Sequence, residues 1–163
     1  MDITINFLAG HLTQYDGQSK AILNFIKGLK QINIDSQVIT LTSSIENDHI
    51  INLRGKLGLI HDFYTFMGNP LIFKKFSDYL NDDSIYIVAN DDLVPIINLK
   101  RNGKMILWAQ GVLGLIFFWK EFYRKQRIIR SIASLFTVKN VLAFSEAAKK
   151  YDMVLANSNT TAN

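Results

Sequence analysis

The sequence from Ile3 to Leu41 reads ITINFLAGHLTQYDGQSKAILNFIKGLKQINIDSQVITL, and it predicts the architecture of the whole chain. Ile3–Leu8 is a short apolar run that predicts a strand, and the polar segment Gly10–Gly17 after it predicts a loop. Apolar residues then recur at helical spacing, and Ser36–Leu41 alternates in the manner of a second strand. Strand, loop, helix and strand over so short a span predict a βαβ unit and therefore a parallel sheet.

The alternation of strands and helices continues along the rest of the chain. Further strands are predicted at Ile50–Leu53, Ser84–Ala89, Lys104–Ala109 and Asp152–Ala156. Further helices are predicted at Lys56–Phe66, Pro70–Leu80, Asp91–Arg101 and from Gly114 to about Lys150. The pattern indicates an α/β fold, a Rossmann-like three-layer sandwich with a mostly parallel sheet, as a single domain over residues 1–163.

Composition narrows the class of protein. With 163 residues, 48% of them hydrophobic and 20% charged, the chain has the make-up of one globular domain. It contains no cysteine, which excludes disulfides and thiolate metal sites, and its three histidines show no metal-ligand spacing. No basic leader precedes the first strand, and no apolar run approaches the roughly 20 residues that span a bilayer. We therefore predict a cytoplasmic protein with no metal site.

Polar residues follow the predicted strands where ligands bind in this fold class. In open α/β sheets, ligands lie outside the carboxyl ends of the strands. Four predicted loops share that edge: Ala9–Gln18, Asn90–Asp92, Gln110–Gly114 and Asn157–Asn159. They supply the candidate binding residues.

In the first loop, Gly17 would let a ligand approach the backbone, and the helix after it would offer free N–H groups to an anion. The loop matches neither GxGxxG nor GxxxxGK[ST], and a simple turn into a helix explains it equally. His11, in the same predicted loop, is a candidate base or ligand contact, although a lone loop histidine is more often a bystander.

The other loops offer amides and carboxylates. Asn90, with Asp91 and Asp92, is suited to sugar hydroxyls or a metal ion, but it is equally suited to capping the next helix, which we favour. Gln110 and Gly111 place an amide beside bare backbone, which suits a hydroxyl or phosphate, although a plain loop would read the same way.

Charge is distributed unevenly along the chain. Residues 31–99 hold nine acidic and four basic side chains, whereas residues 112–150 hold eight basic and two acidic ones. Within the basic part, Leu115–Phe136 combines an aromatic, apolar stripe with Lys120, Arg124 and Arg127. This pattern predicts either a core helix or a helix at an anionic membrane surface, so the inner face of the membrane is a second predicted location.

Three segments, taken in order, carry a family resemblance. They are Ile3–Leu41, Ser84–Gly111 (SIYIVANDD…KRNGKMILWAQG) and Tyr151–Asn163 (YDMVLANSNTTAN). Together they resemble the N-terminal domain of GT-B glycosyltransferases, in particular the large retaining family commonly called family 4. The resemblance covers nearly the whole chain, and it implies that this is the N-terminal half of a GT-B fold.

The resemblance implies transfer of a sugar from a nucleotide-sugar donor to an acceptor hydroxyl, with retention of configuration. The N-terminal domain of that family receives the acceptor, here a sugar or a lipid-linked molecule. A second domain, expected beyond Asn163, would hold the donor, so the chain alone is expected to be inactive.

The resemblance also implies roles for particular residues. Gly17 and Gln18 would approach the donor phosphate or the acceptor, and Gln110 and Gly111 would contact the transferring sugar or the acceptor. Asn157 and Ser158 would line the cleft between domains. Many members carry histidine where this chain has Gln110, which weakens a histidine-based mechanism; no residue is assigned as catalytic, and no cofactor is implied.

Two other interpretations stay open. A non-catalytic Rossmann-like module, acting as a scaffold or small-molecule sensor, is the main alternative to a transferase. Nucleic-acid binding through the basic residues is a weak interpretation, because those residues are interleaved with large apolar ones at core-like spacing. No nucleic-acid partner is therefore predicted.

Overall fold

Six parallel strands in one sheet form the centre of the molecule. The computed structural model describes residues 4–53, 70–81, 83–99, 103–109 and 146–156. The strands are β1 (Ile5–Leu12), β2 (Ser36–Ser43), β3 (Ile50–Asn52), β4 (Ile85–Val88), β5 (Lys104–Ala109) and β6 (Met153–Ala156). Their order is β3-β2-β1-β4-β5-β6, with every neighbouring pair parallel. The predicted α/β class and parallel sheet are confirmed.

Helical elements lie between the strands. They are α1 (Gly17–Gln31), α2 (Pro70–Ser77) and a 3-10 segment, Asp91–Leu99. In the turn after α1, Asn33 has a positive φ of 58°. Asparagine is among the residues that tolerate this left-handed conformation. The conformation turns the chain so that the N–H of Ile34 donates a hydrogen bond to the carbonyl oxygen of Leu29 at 3.0 Å.

The sheet buries apolar side chains on both of its faces, which gives the three predicted layers. On one face, Phe7, Val38 and Ile87 are buried in a cluster with Ile22 and Ile26 of α1. On the other face, the alternate strand residues are buried with α2 and the 3-10 segment; they include Leu8, Ile39, Tyr86, Val88, Met105 and Leu107. Strands covered on both faces read as nearly continuous apolar runs, as SIYIVA does.

The first strand is longer than the sequence predicts. Its pairing with β2 continues past Leu8, through His11 opposite Thr42 to Leu12 opposite Ser43. The prediction of a loop from Gly10 was therefore wrong, and the loop is reduced to residues 13–16. The reason is tertiary: a long partner strand supplies hydrogen bonds to residues whose local sequence resembles a turn.

The segment after β4 is helical, as predicted, and its geometry is that of a 3-10 helix. It runs from Asp91 to Leu99 and contains Pro95. Proline lacks the N–H that an α-helix needs at this position, and its ring collides with the carbonyl four residues earlier. The residues whose spacing indicated a helix include Leu93, Ile96 and Ile97, and all three are buried, so the buried face was predicted although the helix type was not.

Strand β6 is held at the edge of the sheet by the residues just before it. The Tyr151 hydroxyl donates to the carbonyl oxygen of Val94 at 2.8 Å, and burial raises the pKa of this hydroxyl. Asp152 accepts from Met105 N at 2.8 Å through its carboxylate and donates its own N–H to the Met105 carbonyl. These contacts align β6 with β5, and the strand predicted at Asp152–Ala156 is confirmed.

Candidate functional site

The strand order reverses between β1 and β4, and an open parallel sheet forms a crevice at such a point. From β1 the chain continues to β2 and β3 on one side, whereas β4, β5 and β6 extend the sheet on the other. Ligands of open α/β sheets bind at this switch point, outside the carboxyl ends of the strands. The described residues at the carboxyl ends of β1 and β4 therefore form the candidate site.

Asp16 fixes the connection from β1 to α1. As the N-cap, its carboxylate accepts hydrogen bonds from Ser19 N at 2.7 Å, Ser19 Oγ at 2.6 Å and Thr13 Oγ1 at 2.6 Å. Thr13 N in turn donates to Ser19 Oγ at 2.9 Å. Partial burial alone would raise the pKa of Asp16, but these hydrogen bonds outweigh it and lower the pKa to about 2. The carboxylate is thus ionised at neutral pH and its hydrogen bonds hold the loop in one shape.

Two side-chain amides join the three elements around the crevice; we call Gln18 and Asn90 the amide clasp. Asn90 Oδ1 accepts from Gly10 N of β1 at 2.8 Å, and Asn90 Nδ2 donates to Gln18 Oε1 at 2.6 Å. Gln18 Nε2 donates to the carbonyl oxygen of Ala89. Asn90 is only 4% exposed, so these bonds satisfy polar atoms that are shielded from water.

The predicted capping role of Asn90 is therefore wrong. Its side chain crosses to β1 and α1, whereas the 3-10 segment begins with Leu93 N donating to the backbone carbonyl of Asn90 at 3.1 Å. The side chain of Asn90 binds the N–H of Gly10 instead of capping the helix, and without it this N–H would be buried without an acceptor at the carboxyl end of β1.

Gly17 opens α1 beside the clasp and leaves free space around it. The residue is exposed, and a Cβ at this position would meet no atom within 4 Å. Neither its N–H nor that of Gln18 donates to another described residue, as is usual for the first turn of a helix. The first turn also contains no acidic residue. The arrangement suits an incoming hydroxyl or phosphate oxygen, which would accept from these N–H groups.

His11 lies on the strand and not in a loop. It is exposed near the carboxyl end of β1, with Thr42 of β2 as its register partner. Its charge contributes, as the smallest of the named causes, to the lowered pKa of Asp16. The position leaves it beside the first loop, but outside the amide clasp.

The structure brings together three of the residues that the sequence singled out. Gly17, Gln18 and Asn90 meet where β1, α1 and β4 come together. The other four, Gln110, Gly111, Asn157 and Ser158, lie outside the described residues, as does the segment Leu115–Phe136. The strands before those four residues, β5 and β6, end at the same edge of the sheet.

Sequence reasoning missed Gly10 and Thr13 as part of the site. Gly10 was assigned to a loop, yet it is a buried strand residue whose N–H binds Asn90. Thr13 stands three residues before Asp16, and a hydroxyl at that spacing from a cap was the available signal.

A second concave region lies at the opposite end of α1, away from the amide clasp. It has a volume of about 280 Å³ and is lined by Ile26, Lys30, Asn33, Ile34, Asp35, Ser36 and His49. Lys30 Nζ and His49 Nε2 approach to 3.5 Å there. Nowhere in the described part of the chain do three or more His, Asp or Glu side chains gather as metal ligands.

Comparison of the chain with protein-family models, curated proteins and solved structures finds no match. Within the described ranges, no helix has the length and apolar character needed to cross a membrane.

Proposed function

We propose that the chain is the acceptor-binding domain of a glycosyltransferase that moves a sugar from a nucleotide-sugar donor to an acceptor hydroxyl with retention. The carrying observation is that Gly17, Gln18 and Asn90, selected by sequence, meet at the switch point of the sheet. The six-stranded parallel sheet is the framework that the family resemblance requires. The meeting of these three residues and the parallel sheet both support the proposal, and neither depends on a single sequence motif.

In this proposal, the chain's contribution is to position the acceptor. The free N–H groups of Gly17 and Gln18 donate to an acceptor hydroxyl or to the donor phosphate, and the absence of a side chain at Gly17 allows close approach. The hydrogen bonds of the amide clasp hold the start of α1 against the carboxyl ends of β1 and β4. A second domain holds most of the donor, so catalysis depends on positioning and on stabilising the departing phosphate.

The proposal extends to the cell location. A lipid-linked acceptor would be met at the membrane surface, and Leu115–Phe136 has the aromatic and basic composition of a segment that rests on anionic headgroups. We therefore include peripheral attachment to the cytoplasmic face of the membrane in the proposed function.

Gly17→Leu tests the site, with Gly28→Leu as its matched control. Both glycines lie on α1, and a Cβ added at either position would meet no atom within 4 Å, so neither change should disturb the fold. We expect Gly17→Leu to weaken binding of methyl pyranosides and nucleotide sugars at least about tenfold by blocking the approach, whereas Gly28→Leu leaves it unchanged. Amide chemical shifts of residues 16–19 and 90, followed during titration of the chain, measure both.

Two results would contradict the proposal. One is that none of the pyranosides, UDP-glucose or GDP-mannose shifts these amides at millimolar concentration. The other is that the two leucine variants lose binding equally, which would place any ligand away from the start of α1.

The alternative is a non-catalytic Rossmann-like scaffold, and one observation favours it. The amides of Gln18 and Asn90 already satisfy each other and the backbone, which is what a purely structural role requires. Under this alternative, the chain would bind none of the saccharides in the titration.

A further inference from the structure

Tyr15 is a large aromatic residue on the surface, in the loop between β1 and α1. It is 90% exposed, the highest exposure among the large apolar side chains of the described residues. Its backbone N–H lies 3.4 Å from Thr13 Oγ1, but its ring and hydroxyl contact no other described residue through a hydrogen bond or a ring pair. A single exposed aromatic residue is common on protein surfaces, so its position must decide whether it has a function.

The position of Tyr15 is fixed by its neighbours. Thr13 and Asp16, on either side, are joined by the 2.6 Å hydrogen bond between Thr13 Oγ1 and the Asp16 carboxylate. Asp16 is anchored in turn to Ser19 of α1. An aromatic side chain on a backbone already held in place loses little conformational freedom when it binds a ligand, because it has only two side-chain torsions.

Tyr15 also stands at the functional edge of the sheet. It belongs to the four-residue connection, residues 13–16, between the carboxyl end of β1 and the first residue of α1. Two positions further on is Gly17, with its open surroundings and free N–H group. Tyr15 therefore lies in the loop that leads directly to the position where a ligand would meet Gly17.

The charge and polarity of the loop indicate which kind of ligand group would stack on the Tyr15 ring. The neighbouring Asp16 carboxylate is ionised, so a neutral group that rests on the Tyr15 ring meets no charge repulsion there. A pyranose ring is neutral; its C–H groups form an apolar face and its hydroxyls project from the rim. The phenol of tyrosine has the matching character, with an apolar face and a polar tip that stays in water.

We propose that Tyr15 is the platform on which a pyranose ring of the acceptor stacks. This inference rests on the proposed function and deepens it, because it names the part of the site that recognises the ring. Gly17 and Gln18 then contact polar atoms of the same ligand, while Tyr15 supplies contact area and selects cyclic over open-chain sugars.

The experiment compares Tyr15→Ala, Tyr15→Phe and the control Tyr79→Ala in the full 163-residue chain. Tyr79 is a second exposed tyrosine, 40% exposed, which follows α2 and whose backbone carbonyl bonds to Tyr86. The probes are the methyl pyranosides of glucose, galactose and mannose, their open-chain alditols, and uridine. Titrations followed by amide chemical shifts give the dissociation constants, and thermal unfolding reports stability.

We expect Tyr15→Ala to raise the Kd for the preferred pyranoside about tenfold, the scale on which an aromatic side chain contributes to ring stacking. Tyr15→Phe keeps the ring and should stay within about twofold of the unmodified chain, as should Tyr79→Ala. The preference for pyranoside over alditol should disappear in Tyr15→Ala. The unfolding midpoint should not change, because the ring is almost wholly exposed in the folded chain.

Each other outcome overturns the inference in a distinct way. If Tyr15→Ala binds the pyranoside normally while Gly17→Leu does not, the stacking role is wrong and the proposed function stands. If uridine but no pyranoside binds in a Tyr15-dependent manner, the ring recognised is a nucleobase. If the unmodified chain binds no saccharide at all, both the inference and the proposed function fail.

Discussion

At the scale of single residues, the candidate site depends on side chains that bind the backbone of one element and a side chain of another. Asn90 satisfies a backbone N–H of β1 and at the same time orients Gln18, which lies in the first turn of α1 beside the crevice. The sequence identified Asn90 as important but assigned it the commoner role of a cap. The hydrogen-bond partner of Asn90 is Gly10, 80 positions away in the sequence, so the residues around Asn90 do not reveal it.

Asn90→Ala should lower the free energy of unfolding by about 1–3 kcal/mol, because the buried N–H of Gly10 loses its acceptor and the partly buried Oε1 of Gln18 loses its donor. Asn24→Ala, on the exposed face of α1, is the control and should leave stability nearly unchanged. Urea unfolding of both variants measures the difference. An Asn90→Ala protein as stable as the Asn24→Ala protein would show that water satisfies these groups.

At the scale of elements, local pattern predicted most strands and the first helix, and tertiary context changed their ends. Apolar spacing placed α1, β4 and β5 correctly because burial on one or two faces leaves a direct trace in the sequence. The end of β1 was missed because pairing with β2 overrides a glycine. The 3-10 geometry of residues 91–99 was missed because apolar spacing predicts a helix without showing how Pro95 changes its hydrogen bonds.

The start of α1 should make stability depend on pH through Asp16. The pKa in the folded protein, about 2, lies below the ordinary 3.8, so the ionised carboxylate stabilises the fold. This contribution is complete above about pH 4 and is lost as the pH falls towards 2. Asp16→Ala should therefore cost about 1 kcal/mol at pH 7, the usual value of an N-cap, and much less at pH 2.5.

Unfolding of the unmodified chain, Asp16→Ala and Asp48→Ala at pH 7, 4 and 2.5 checks this expectation. Asp48 is an exposed carboxylate whose side chain makes no hydrogen bond to another described residue, so its removal controls for the loss of one negative charge. A cost for Asp16→Ala that stays constant across the three pH values would mean that the hydrogen bonds do not depend on ionisation.

At the scale of the whole molecule, fold class was accessible from sequence and the complete binding site was not. A strand-helix alternation with continuous apolar strands is sufficient to predict a parallel sheet, and the observed strand order then determines the switch point. The contacts within the site join residues 10, 18 and 90, which only the three-dimensional arrangement relates. Gln110, Gly111, Asn157 and Ser158 stay predictions made from sequence.

The charge distribution of the whole chain predicts where it will be found in a mixture of protein and vesicles. Basic residues cluster between positions 112 and 150, and each Lys or Arg near an anionic surface contributes about 1 kcal/mol to attachment. The chain should therefore float with vesicles that contain phosphatidylglycerol and remain behind with phosphatidylcholine alone. Raising the salt concentration should release it, because the attraction between exposed charges is screened.

Two triple variants with the same change in net charge separate a specific segment from general charge. Lys120→Glu, Arg124→Glu and Arg127→Glu together should abolish flotation, since they reverse the charge of three basic residues within Leu115–Phe136. Lys20→Glu, Lys27→Glu and Lys74→Glu alter exposed positions on α1 and α2, and should leave most of the flotation intact. Equal loss in both variants would make the attachment a property of net charge alone, and flotation without any lipid preference would favour burial of Leu115–Phe136 in a core.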